Sequence, residues 1–213
     1  DMSKSIVISG VGGQGTLFAS KIISCAAQSR GLFVRTSETI GMAQRGGSVC
    51  GHIRIDAENL APVIPSSHAD ILIAFELAEA VRYLSKLSDN AICVVNTDTI
   101  IPTNVALKKG KYLEEEYLQL LKTRFPNGVF ISGRKLALQA GDIRTLNVVL
   151  LGAAVAAKAL PFTEEEIEGA IVNCLRPKLV EMNLKAFRLG MEEAGKLLNN
   201  IKQNDSRDGR VER

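Results

Sequence analysis

The sequence predicts a doubly wound α/β fold, and three observations carry that reading. Short apolar or β-branched runs alternate with helix-period segments through the first two thirds of the chain. A glycine-rich turn joins the first run to the first helix. From Arg144 onward every periodic segment is helical. Together they give a mostly parallel, Rossmann-like sheet flanked by helices, with a helical C-terminal third. At 213 residues, 46% of them apolar, the chain is sized for one domain with a substantial core. That domain is expected over residues 2–201, with Asp1 set aside as foreign to a natural start at Met2.

In order, residues 5–9 form a β-rich run ending in Gly10, and residues 16–30 carry apolar side chains at helical spacing until Gly31 stops them. Residues 32–34 predict a second strand. Residues 49–55 alternate Val49, Gly51, Ile53 and Ile55 against Cys50, His52 and Arg54, as a half-buried strand would. Residues 71–75 and 91–95 are continuous apolar runs, the pattern of parallel strands buried on both faces. Helices are expected at 77–87 between them and at 113–124. A turn at Pro126-Asn127-Gly128 then leads to a strand at 129–131. Three helices close the domain: an apolar one reaching Ala159, one opened by Thr163 to Glu166 with capping-box spacing, and a last one ending at Ile201. The apolar stripe of that last helix reads first as core and second as a partner-docking seam. Residues 202–213 are charged and expected to be disordered.

Charge and cysteine content exclude several classes. There are 26 basic and 23 acidic residues, a net +3, scattered rather than clustered, so neither nucleic acid nor a membrane surface is an expected partner. The longest apolar run, 148–157, is too short to span a bilayer. Cys25, Cys50, Cys93 and Cys174 lack the spacing of a zinc, redox or iron–sulfur motif, so no metal is expected on this chain. With no export signal, free thiols in the cytoplasm are the expectation.

The sharpest motif is Gly10-Val11-Gly12-Gly13-Gln14-Gly15 followed by Thr16, a GxGxxG placed between strand and helix. Gly10 permits the turn, Gly12 admits a close backbone approach, Gly15 lets the helix lie near the strand, and the helix N-terminus offers N–H groups to an anion. Three readings stand: a dinucleotide site, a phosphate or other anion site, and a purely structural turn. The dinucleotide reading lacks an acid at the end of the expected second strand, where Arg35, Thr36 and Ser37 stand and Glu38 comes late. A second candidate is the loop from Glu38 to Ser48, in which Arg45 could pair with a carboxylate or phosphate and Gly46-Gly47 would admit another backbone. Its alternative is a solvated connector. Glu76 and Glu79, at i and i+3, fit a helix N-terminus before acid–base work, and His52 reads as structural. The chain lacks GxSxG, the phosphate-loop motif and HExxH, which weakens hydrolase, triphosphatase and zinc-protease readings.

These motifs resemble the small subunits of the 2-oxoacid:ferredoxin oxidoreductases, most closely the β subunits of the indolepyruvate branch. Gly10 to Gly15 looks like the family's GxGGQG opening. Glu38, followed by Gly41-Met42-Ala43-Gln44-Arg45-Gly46-Gly47-Ser48-Val49, resembles that branch's loop, except that Ile40 stands where histidine is more usual. Ala69 to Ile73, Phe75-Glu76, Glu79 to Arg82, Asn96-Thr97, Gly141 to Arg144, Asn147 and Leu151 to Ala153 follow in the family's order. The resemblance implies an accessory subunit for oxidative decarboxylation of an aryl 2-oxoacid, with acyl transfer to coenzyme A and electrons passed to ferredoxin. It implies a large partner holding thiamine diphosphate, Mg2+ and 4Fe-4S clusters. On this chain it places Gly10, Gly12, Gly13, Gln14, Gly15 and Thr16 at an anionic ligand, and Glu38, Gln44, Arg45, Gly46, Gly47 and Ser48 in a loop facing the partner's active site. No catalytic residue is assigned. A stand-alone NAD or FAD oxidoreductase and a pure interaction module are the alternatives.

Overall fold

The computed structural model describes residues 3–39, 46–56, 60–99 and 113–208, with side chains through residue 201. The chain opens with β1 (Lys4–Val11), the glycine turn and α1 (Thr16–Ser29), followed by β2 (Val34–Thr39), β3 (Ser48–Ile55) and β4 (Ala69–Ala74). Next come α2 (Leu77–Arg82), a 3-10 turn at Leu84–Lys86 and β5 (Leu87–Asn96). α3 (Glu114–Arg124), β6 (Val129–Ile131), α4 (Gly133–Ala140), a 3-10 turn at Ile143–Thr145, α5 (Leu146–Ala156), α6 (Glu164–Cys174) and α7 (Pro177–Asp208) complete it.

Six strands lie in one sheet in the order β2-β3-β1-β4-β5-β6. β1, β4, β5 and β6 run parallel, as expected, while β3 is antiparallel to both β1 and β2. The cause is connection length. Residues 40–47 between β2 and β3 are fewer than the dozen or so that a parallel crossover needs, so the chain must double back.

Several boundaries differ from the sequence expectation. The second strand covers Val34–Thr39 rather than 32–34, because its ladder with β3 extends through polar residues that an edge strand tolerates. That puts Glu38 inside β2, not in the loop. β3 is buried on both faces from Cys50 onward rather than half-buried. Ile64, whose N–H donates to His52 Nδ1 at 3.4 Å, covers its polar face. α2 stops at Arg82, since Leu87 already belongs to β5. α4 is a helix where the sequence pattern predicts none.

Side chains alternate across the sheet and feed two cores. On one face Ile6, Ile8, Ile53, Ile71, Ile73 and Val94 pack under α1, α4, α5, α6 and α7. On the other, Val7, Leu72, Cys93 and Val95 meet Leu77 and Ala80 of α2, Leu121 of α3 and Phe125 just after it. α5 is buried from Leu146 through Ala154 because α7 crosses directly over it. A Cβ on Gly152 would fall on the Phe187 carbonyl, and one on Gly190 on the Val149 carbonyl, so the two backbones touch at paired glycines. Ala186, Phe187 and Ala194 of α7 are buried in this crossing, which makes the stripe core. The helical backbone of α7 continues past 201 to Asp208, and residues 209–213 lie outside the described residues. Among the described residues no helix is long and apolar enough to cross a membrane.

Candidate functional site

β1, β4, β5 and β6 end at one rim of the sheet, and the strand reversal brings the start of β3 to the same rim. Gly10 pairs with Val49 and Val11 with Ser48. The ladder then runs past the strand ends: Gly12 N–H donates to the Gly47 carbonyl at 2.8 Å, and Gly46 N–H to the Gly12 carbonyl at 3.5 Å. The two glycine segments singled out from sequence are therefore bonded to each other, backbone to backbone.

Gln14 locks the turn. Its Oε1 accepts from Val11 N–H at 2.6 Å and its Nε2 donates to the Phe75 carbonyl at 3.0 Å, tying the loop to the end of β4. Gly13 has φ +101° and faces open space, whereas a Cβ on Gly15, at φ +84°, would run into the Asn147 amide. Asn147 instead donates to the Gly15 carbonyl at 3.3 Å. α1 has Gly15 at its N-cap, with no side-chain cap and no acid in its first turn, leaving its positive end open beside Gly13.

A cleft of about 150 Å³ adjoins this turn, lined by Gly13, Gln14, Asn96, Asp98, Thr99, Arg134, Ile143, Arg144 and Leu146. Asn96, buried at the end of β5, donates to the Phe75 carbonyl at 3.0 Å and accepts from Gly133 N–H at 2.9 Å. Asp98 accepts from Ser132 Oγ at 2.8 Å and Arg134 N–H at 2.6 Å, fixing the start of α4. Arg144 is splinted by Asp142 at 2.6 Å, and that contact holds the Asp142 carboxyl below the usual carboxylate range. The cleft thus combines an uncapped helix N-terminus with two exposed guanidinium-bearing residues, an arrangement suited to a phosphate or carboxylate. Asn96, Asp98, Arg134 and Arg144 had no assigned role from sequence. For Asn96, Asp98 and Arg134 the signal lay in polar residues placed at or just after the ends of buried strands.

The second expected group divides. Gly46 and Gly47 sit on the rim, while Gln44 and Arg45 lie outside the described residues. Ser48 turns to the other face of the sheet. Its Oγ donates to Glu79 Oε2 at 2.5 Å and lies 3.1 Å from Tyr83 Oη, and Arg82 Nε donates to Glu79 Oε1 at 3.2 Å. Glu76 caps α2 by accepting from Glu79 N–H at 3.0 Å, the helix-terminus role expected of it. Glu38 stands apart, facing α1 in a separate groove where burial pushes its carboxyl up. It does stand near the end of the second strand, one residue before Thr39, but β3 lies between β2 and β1. An acid two strand spacings away, about 10 Å, is not where a ribose on the glycine turn would need it.

Residues 5–193 match the family described as pyruvate ferredoxin/flavodoxin oxidoreductase. The chain is 42% identical over 194 residues to the indolepyruvate oxidoreductase subunit IorB of Archaeoglobus fulgidus, covering 91% of this chain and 96% of that protein. Its fold is similar to the crystal structure of the keto/oxoacid ferredoxin oxidoreductase gamma subunit from Geobacter sulfurreducens PCA. There the TM-score is 0.65 at 24% identity, over 90% of this chain and 98% of that one. It is also similar to one part of the 2-oxoglutarate:ferredoxin oxidoreductase from Magnetococcus marinus, solved with 2-oxoglutarate, coenzyme A and succinyl-CoA bound. That match has a TM-score of 0.67 at 20% identity, over 93% of this chain and 32% of the other.

Proposed function

Because the chain belongs to the pyruvate ferredoxin/flavodoxin oxidoreductase family, we propose that it is the small subunit of an indolepyruvate-type 2-oxoacid:ferredoxin oxidoreductase and that its rim covers the partner's active site and seats the anionic end of coenzyme A. The overall reaction converts a 2-oxoacid, coenzyme A and oxidised ferredoxin to acyl-CoA, carbon dioxide and reduced ferredoxin. Thiamine diphosphate, Mg2+ and 4Fe-4S clusters on the large partner supply decarboxylation and electron transfer. This chain binds, orients and excludes water, and is inactive alone.

The observation that supports this reading is the rim itself: two glycine segments hydrogen-bonded to each other beside an uncapped helix and a cleft bearing Arg134 and Arg144. Gly13 has no Cβ to hold a phosphate away from the backbone. Arg134 adds positive charge at the start of α4. Gln14 and Asn96 hold the turn and the strand ends in register, so the donors are placed before the ligand arrives. Arg45 supplies a further fixed cation toward the partner's active site.

The test is co-expression with a large thiamine-bearing subunit of this family and an anaerobic assay of coenzyme A-dependent ferredoxin or dye reduction by indolepyruvate, with and without this chain. Activity that needs both chains supports the proposal. A large subunit fully active alone overturns it.

A further inference from the structure

Outside the rim the structure places two thiols together. Cys25 in α1 and Cys174, the last residue of α6, line one solvent-open groove of about 780 Å³ with Ser20, Lys21, Ser24 and Glu38. α1 packs directly against α6, so both thiols lie along the seam between the two helices. Both are partly exposed, whereas Cys50 and Cys93 are at most 1% exposed, with burial pushing their thiols up to about 11 and about 12. Those two are inert by access and by protonation. Burial and the neighbouring Cys25 also push the Cys174 thiol up to about 11, with Lys21 opposing. Lys21 lies four residues before Cys25, on the same helix face.

The geometry points to a modification site: Cys25 and Cys174 form a dithiol pair that a hydroperoxide oxidises to a disulfide, stapling α1 to α6. In the first step the Cys25 sulfur attacks the peroxide, the O–O bond breaks, Cys25 becomes a sulfenic acid and an alcohol or water leaves. In the second the Cys174 sulfur displaces the hydroxyl, which takes up the Cys174 proton and departs as water. Two electrons pass from the thiol pair to one peroxide. Position supports the pairing, because Cys174 ends its helix and can adjust without breaking an internal turn. Cys25 is the attacking thiol because it sits inside α1, whereas Cys174, at a helix end, is the one free to move onto the sulfenic acid. The inference is independent of the coenzyme A reading, since the groove is separate from the cleft.

The experiment exposes the purified full chain to stoichiometric hydrogen peroxide, quenches with iodoacetamide and maps peptides by mass spectrometry. The expected result is a mass lower by two hydrogens and a peptide linking Cys25 to Cys174, lost on treatment with dithiothreitol. The link should be absent in C25S and C174S but present in C50S and C93S. Sulfinic acid at Cys25 with Cys174 still open to alkylation would overturn the pairing. So would a link through Cys50 or Cys93, or no oxidation while a free-cysteine control is consumed.

Discussion

Gly13 and Gly15 both hold left-handed backbone two residues apart, and the difference between them is what a methyl group would meet. Gly13→Ala should cost about 1 kcal/mol of stability, the backbone penalty alone, while placing a Cβ where an anion would sit. Gly15→Ala adds collision with the Asn147 amide, and about 3 kcal/mol is expected. Urea unfolding of the two variants separates a ligand-facing glycine from a packing one. The motif was legible because glycine, strand and helix follow each other directly. The bridging work of Gln14 was not, since Phe75 lies 61 residues away in sequence. His52 makes a second case at this scale. Burial, with Lys86 and Arg54 nearby, holds its imidazole below the ordinary pKa. The unfolded chain then binds more protons, so stability is present above about pH 6.5 and is lost as pH falls below it toward the lowered native value. Urea midpoints at about pH 7.5 and about pH 5.5 should therefore fall less in His52→Asn than in the parent chain.

Among elements, the crossing of α5 and α7 is the least forgiving contact. Gly152→Ala or Gly190→Ala would drive a methyl into a facing carbonyl, and each should destabilise by about 3 kcal/mol, read from thermal or urea unfolding. Thr163→Ala should cost only about 1 kcal/mol. It removes the Oγ1 that accepts from Glu166 N–H at 3.3 Å, while the rest of α6 stays packed. The capping box was readable because its partners are three residues apart. α4 was not, since Gly133–Ala140 is short and opens with glycine. What fixes its start is Asn96 and Asp98, both remote in sequence. β2 was misplaced for a related reason. The apolar Leu32 and Phe33 drew the expected strand forward, whereas the ladder to β3 carries polar residues at the sheet edge.

For the molecule as a whole, the parallel half of the sheet and its two cores follow from buried apolar runs, but no periodicity states which strand neighbours which. The antiparallel flank, and with it the joining of Gly12 to Gly47, depends on a connection with too few residues for a crossover. The proposed division of labour makes its prediction here. In the assembled enzyme Arg134→Ala should raise KM for coenzyme A roughly tenfold with little loss of folding stability, because a charge-assisted bond of about 1.5 kcal/mol is removed from an exposed side chain. Arg45→Ala should lower activity of the complex without unfolding this subunit, and unchanged kinetics in both variants would count against the rim as a coenzyme A seat. The α5 and α7 crossing also bears on the order in which the chain is made. α5 is synthesised well before its cover, so its apolar surface waits uncovered until residues 177–201 follow. A chain halted before Pro177 should bind hydrophobic dyes and aggregate, and a growing chain at that stage is the point at which a chaperone has most to hold.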